Sequence, residues 1–130
     1  MSKYSVSLEK VINDLSLNVI YAPKDTADIY ITSQDVNRPG LILTGFDNYF
    51  DPARIQFIGL TELEYIKSLD KEQFVECSER FLSKKPAAVV VTRDLKCSKR
   101  FLEIAKKYEV PILGTPEATS SCMAAAISYL

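Results

Sequence analysis

Apolar positions along the chain follow two rhythms, one of three to four residues and one of two. Leu8, Val11, Ile12 and Leu15 form the stripe of an amphipathic helix, with Ser5 or Ser7 placed to cap it. Leu17 to Tyr21 alternates as a half-buried strand does, and Ala22-Pro23 closes it. Asp28 to Thr32 predicts a second strand. At Arg38-Pro39-Gly40 the chain turns, because proline fixes φ and glycine permits a positive one. From Leu41 to Phe50 the pattern predicts a short helix or an ordered loop: Phe46, Tyr49 and Phe50 have helical spacing, but Gly45 and Asp51-Pro52 break any long helix. Ile55 to Ile58 reads as a strand ending at Gly59. Thr61 to Glu64 has the form of a capping box at a helix start. Asp70 to Gln73 repeats the device and opens a helix carrying Phe74, Val75, Phe81 and Leu82, which Lys84-Lys85-Pro86 stops. The unbroken apolar run Ala87 to Val91 marks a central strand covered on both faces. Ser98 is placed to cap a helix with Phe101, Ala105 and Tyr108 inward. Val110 to Leu113 is another strand. Thr115-Pro116 then predicts the start of a last helix, carrying Met123, Ala126, Ile127 and Leu130.

The second half thus alternates strand, helix, strand, helix. That order predicts an α/β fold: a mainly parallel sheet of about five strands, right-handed crossovers and helices on both faces. A chain of 130 residues suits one core, so a single domain is expected over residues 1–130. There is no internal repeat, low-complexity tract or linker.

Charge and composition change the picture mainly by exclusion. The formal net charge is −1, which leaves no electrostatic footprint for nucleic acid or an anionic membrane. The apolar runs are too short to span a bilayer. Met1 to Ser5 is too polar for a signal peptide, so a cytoplasmic location is expected. Cys77, Cys97 and Cys122 have no close pairing and read as free, mostly buried thiols. The chain has no histidine, which rules out a Ser-His-Asp or Cys-His arrangement and histidine-based metal sites within it. Neither G-x-x-x-x-G-K-[ST] nor G-x-G-x-x-G occurs. Without a phosphate cradle and its lysine, ATP-dependent phosphoryl transfer by this chain alone is not expected. No catalytic residue, metal ligand or cofactor is assigned.

Two groups of residues remain as binding candidates. If the later strands are parallel, Gly59-Leu60-Thr61, Thr92-Arg93-Asp94 and Gly114-Thr115 share the carboxyl edge of the sheet, where ligands of open α/β sheets bind. Thr61, Thr92, Arg93 and Thr115 would then offer hydroxyls and a guanidinium to an anion or nucleotide fragment. The commoner reading is that the threonines serve as helix caps and Arg93 pairs with Asp94 or another surface carboxylate. The second group surrounds the Pro39-Gly40 turn. Asp35, Arg38 and Arg54 could anchor the loop, Asp35 pairing with either arginine, or meet a partner. Phe46 and Tyr49 would be core residues, or an interface if exposed together. The acidic pairs Glu62/Glu64 and Glu76/Glu79 read as solvated helix faces.

The run Asp35-Val36-Asn37-Arg38-Pro39-Gly40-Leu41, followed by Gly45-Phe46, Tyr49-Phe50, Arg54-Ile55-Gln56 and Gly59-Leu60-Thr61-Glu62, resembles the amino-terminal domain of HPr kinase/phosphorylase. Val89 to Arg93 and Val110 to Thr115 look like that domain's two later strands, with one departure at Asp94, where the family usually has glycine. The resemblance implies a fold like the first domain of Mur ligases. It also implies a longer parent that phosphorylates a serine of HPr with ATP and magnesium, reverses that reaction by phosphorolysis, assembles as a hexamer and serves carbon catabolite regulation through the sugar phosphotransferase system. The family's P-loop and catalytic residues lie in a carboxyl-terminal domain that this sequence lacks. The chain is therefore expected to be a non-catalytic regulatory or assembly domain. Its implied partners are its own catalytic domain, other subunits and, through the parent, HPr. The alternative is a stand-alone sensing domain of DRTGG-like type for an anion or nucleotide.

Overall fold

The structure is a computed structural model that describes residues 4–46 and 48–130. Met1 to Lys3 of the polar amino-terminal stretch, and Asp47, lie outside the described residues. The strands are β1 (Val6–Ser7), β2 (Asn18–Tyr21), β3 (Tyr30–Ile31), β4 (Val36–Asn37), β5 (Ile55–Ile58), β6 (Ala88–Val91) and β7 (Ile112–Gly114). The α-helices are α1 (Leu8–Asp14), α2 (Gly40–Leu43), α3 (Leu60–Ser68), α4 (Lys71–Leu82), α5 (Lys99–Lys107) and α6 (Thr119–Tyr129).

The expected α/β architecture is present. Five strands form one sheet in the order β2-β7-β6-β5-β4. β4, β5, β6 and β7 are mutually parallel, and β2 closes one edge antiparallel to β7. The apolar run Ala88–Val91 occupies the middle of the sheet, fully buried. Its alternate side chains serve two cores. Val89 and Val91 join Ile58, Phe81, Phe101 and Ile104 under α3, α4 and α5. Ala88 and Val90 join Ile55, Phe57, Leu113 and Ala126 under α1 and α6. Consecutive residues of a strand point to opposite faces, so a strand buried on both sides must be apolar throughout.

Several local expectations need correction. The capping box at the start of α3 is not Thr61 to Glu64; Gly59 is the N-cap and Glu62 the third helical residue that reaches back to it. Glu62 is consequently buried, not on a solvated face. Thr115-Pro116 does not open α6, which begins after Ala118. Thr115 Oγ1 instead accepts from the Glu117 amide at 3.2 Å, closing a turn ahead of the helix. Ile127, expected inward, is exposed, and the buried face of α6 carries Thr119, Cys122 and Ala126. The strand expected at Asp28 to Thr32 shrinks to β3, which pairs with β1 in a separate two-stranded ribbon. On β2, Val19 and Ile20 are both exposed, because no helix covers this edge strand as the central ones are covered. β4 escapes notice because it is two residues long. Other expectations hold: Ser7 and Ser98 cap α1 and α5, and Asp70 with Gln73 caps α4.

Candidate functional site

The carboxyl ends of β4 to β7 share one edge of the sheet, as parallel strands in register require. Two polar regions lie along it. The first surrounds the end of β5. Arg38 leaves β4 and sends its fork to Glu62 in the first turn of α3: Nε donates to Oε2 at 3.0 Å and Nη2 to Oε1 at 2.7 Å. Glu62 Oε1 also accepts from the Gly59 amide at 2.8 Å. Burial alone would raise the Glu62 pKa. The Arg38 fork and the amides of Gly59 and Glu62 outweigh it and hold the carboxyl below its ordinary range. The same pairing raises the already high pKa of Arg38.

Gly59 is the pivot of this region. A Cβ there would lie 2.4 Å from Thr119 Oγ1 and 2.8 Å from Arg38 Nη2, so only glycine fits. Thr119 stands 2.6 Å from Thr92 Oγ1, and Thr92 donates to the Ile58 carbonyl at 3.1 Å. Because Thr92 has one hydroxyl proton, Thr119 donates within the pair. Asn37 Nδ2 donates to the buried Gln56 at 2.8 Å, and Gln56 in turn donates to the Arg54 carbonyl at 3.1 Å. Arg38, Glu62, Thr92, Thr119, Asn37 and Gln56 are thus satisfied by one another and by the backbone, whereas the buried Nε of Arg54 beside β5 has no hydrogen-bond partner.

The second region lies between β6, β7 and β2. Arg93 and Asp94 both adopt left-handed backbone, with φ of 58° and 54°. This pair aims two amides at the neighbouring loop: Arg93 N donates to the Glu117 carbonyl at 2.8 Å and Asp94 N to the Thr115 carbonyl at 3.0 Å. Glycine takes that conformation without a Cβ penalty, which gives the departure at Asp94 a physical meaning. Beside this turn is a cavity of about 240 Å³ whose lining includes Asn18, Ile20, Asp94, Lys96, Leu102 and Thr115. Cys97 also borders it, and burial pushes its thiol up to about 11.

Of the four strand-edge candidates, Thr92 and Thr115 are buried, while Thr61 and Arg93 are exposed. Thr92 faces Thr119, Thr115 turns its hydroxyl to the Glu117 amide, and Thr61 sits on the first turn of α3. Around the turn, Arg38 pairs with Glu62. Asp35 lies 3.8 Å from Arg54, which is also 3.6 Å from Asp51. Phe46 and Tyr49 are 48% and 89% exposed, with ring centroids 6.3 Å apart, and Leu41 beside them is 69% exposed. These three border a small pocket of about 100 Å³ that also reaches Asn37 and Arg38. Phe50 instead turns inward, edge-on to Phe81.

Sequence reasoning placed Gly59 at the sheet edge but missed its pairing with Glu62, and it missed Thr119 as part of a site and Asn18 and Lys96 as cavity residues. The available signal for the first pair was an acid at the third helical position after a strand-ending glycine. Nothing local marked the others.

A family model described as the HPr Serine kinase N terminus matches residues 6–130. The chain belongs to that family. The HPr kinase/phosphorylase of Lachnoclostridium phytofermentans is 38% identical over 98% of this chain and 41% of its own length. That of Caldanaerobacter subterraneus is 37% identical over 96% of the chain and 41% of its length. This HPr kinase amino-terminal chain therefore spans about two fifths of the length of the curated relatives it matches. Among solved structures, it is similar to the CBS and DRTGG domains of the regulatory region of Clostridium perfringens pyrophosphatase. The TM-score is 0.67 at 16% identity, over 95% of this chain and 47% of that one, which shows a shared fold. Among the described residues, no helix is long and apolar enough to cross a membrane, and no group of three histidine, cysteine, aspartate or glutamate side chains is placed to hold a metal ion.

Proposed function

We propose that the chain is the non-catalytic, assembly and regulatory part of a bacterial HPr kinase/phosphorylase. It acts in the cytoplasm in carbon catabolite regulation through the sugar phosphotransferase system. Its partners are its own catalytic domain and other subunits, and it meets HPr through the longer protein. The observation that carries this reading is the exposed trio Leu41, Phe46 and Tyr49 on a turn held in place by the Arg38–Glu62 fork. Exposed aromatic side chains on a rigid support are what an interface centre needs. ATP and magnesium, which the whole enzyme requires, do not fit this chain. Gly40 and Gly45 have the spacing of P-loop glycines, but Phe46 stands where the lysine would be and Gly40–Leu43 is helical. No phosphoryl-transfer step is therefore assigned to these residues.

The test has two arms. The purified chain with ATP, magnesium and HPr transfers no phosphate; transfer above a no-protein control refutes the reading. The chain also binds the remaining region of a relative's HPr kinase/phosphorylase, and Leu41→Ser with Tyr49→Ser weakens that binding at least tenfold. Unchanged binding by the double variant removes the assembly role.

A second reading is small-ligand sensing at the strand ends by Thr61, Thr92, Arg93 and Thr115, of which only Thr115 borders the cavity at β7. It has a parallel in the pyrophosphatase regulatory region, which was solved with its activator diadenosine tetraphosphate.

A further inference from the structure

The arm that presents Leu41, Phe46 and Tyr49 cannot hold its own shape. It starts with α2, a single turn, and a helix that short is not stable in water without tertiary support. Pro39, which precedes it, offers no side-chain cap. At the other end Gly45 takes a left-handed φ of 110° and stops the helix. The Phe46 amide then donates back to the Leu41 carbonyl at 3.0 Å, and the Gly45 amide to the Ile42 carbonyl at 3.1 Å. A glycine stop of this kind draws the residue after it against the last turn. Phe46 and Leu41 accordingly border the same small pocket. Two carbonyls of the turn are thus satisfied within the arm, but that of Leu43 has no backbone donor among the described residues.

α4 supplies the donors that Leu43 lacks. Cys77 Sγ and Arg80 Nη1 each lie 3.3 Å from its oxygen. Their spacing of three places them on one face of α4. Burial pushes the Cys77 thiol up, so it keeps its proton and donates weakly. Arg80 is the charged donor and the stronger of the two. Its side chain is 28% exposed, and its Nη2 donates to Glu76 Oε1 at 3.2 Å. The guanidinium also lies against the helix stop: a Cβ on Gly45 would meet Arg80 Cζ at 4.0 Å. One residue further, Phe81 takes the ring of Phe50 edge-on, with centroids 6.0 Å apart. α4 therefore holds the arm at Leu43 and again at Phe50, on either side of Phe46 and Tyr49. The Arg38–Glu62 fork secures only its entry.

We infer that Arg80 is a positioning residue for the partner contact. It does not line the pocket. By closing the Leu43 carbonyl and backing Gly45, it fixes how Leu41 and Phe46 are presented. The inference rests on the assembly reading and names the side chain that gives that surface its shape.

Binding and nuclear magnetic resonance of the purified chain test it together. Arg80→Met keeps the apolar stem and loses the donors. Its binding to the remaining region of a relative's HPr kinase/phosphorylase is expected to fall about fivefold, the equivalent of one ordinary hydrogen bond. Arg80→Lys keeps a charged donor and recovers most of that loss. Added to Leu41→Ser with Tyr49→Ser, Arg80→Met weakens binding no further, because the surface it shapes is gone. In spectra, Arg80→Met shifts the ring signals of Phe46 and Tyr49 and leaves the amide signals of β6 and β7 in place. Full binding by Arg80→Met, or a loss that adds fully to that of the double variant, overturns the positioning role and leaves the assembly reading standing. If the parent chain itself does not bind, the assembly reading falls and the ring signals decide about Arg80. Shifted signals uphold its hold on the arm, and unmoved ones overturn the inference as well.

Discussion

At the carboxyl edge of the sheet, the region around β5 and the crevice beside β7 use similar residue types to opposite ends. Around β5, an arginine, a glutamate and two threonines are joined to one another and to the backbone, leaving Gly59 no room for a methyl group. Beside β7, an aspartate, a lysine, an asparagine and a threonine surround a cavity and have almost no partners of their own. Buried polar groups must be paired, by the protein or by something else. The first region meets that demand internally and so acts as structure. In the second, Asn18, Asp94 and Lys96 are exposed and meet solvent, and the buried Thr115 is bonded to the Glu117 amide. Residue type alone does not tell the two regions apart.

The comparison breaks most directly at Gly59. Gly59→Ala should cost about 3 kcal/mol in chemical denaturation, because the new methyl must displace Thr119 or Arg38. Adding Thr119→Ala should restore part of that loss. A cost well under 1 kcal/mol would mean the β5 region is loosely held.

Glu62→Gln comes next, at about 2 kcal/mol. It weakens the fork, but the two-fifths exposure of Arg38 lets solvent compensate, so the loss falls below that of a fully buried pair. Its pH signature follows from the lowered pKa. The carboxyl's contribution is complete above the ordinary value of 4.5 and is lost as pH falls through the depressed folded value. The parent chain should therefore lose more stability than Glu62→Gln between neutral pH and strongly acidic pH. Parallel acid titration curves for the two proteins would contradict this.

Thr92→Val should cost about 1 kcal/mol, the usual worth of a hydrogen bond in a satisfied network. The smallest effect is expected in the crevice. Asp94→Gly should stabilise the chain by about 0.5 kcal/mol, since relief of left-handed strain exceeds the added chain entropy. A clear destabilisation would show that the Asp94 side chain has a structural task.

The sheet and its order of elements were legible because the signals are local. The apolar run at Ala88–Val91, the stop at Lys84-Lys85-Pro86 and the Asp70/Gln73 cap each lie within a few residues. The site was less legible because its defining contacts are distant. Arg38 and Glu62 are 24 positions apart, and Thr92 and Thr119 are 27 apart. No periodicity links them. Glu62 also follows the pattern of a solvated helix face until its partner is known. At Thr115 the error was one of turn chemistry, since a threonine before proline signals a helix start and here closes a turn three residues ahead of one.

The two amides of Arg93 and Asp94 tie the roots of α5 and α6, which lie on opposite sides of the molecule, into one knot. A load on either helix can cross the sheet through two peptide groups at its rim, without disturbing the close-packed interior. Two backbone bonds at the rim thus join the loops that lead into helices of both faces.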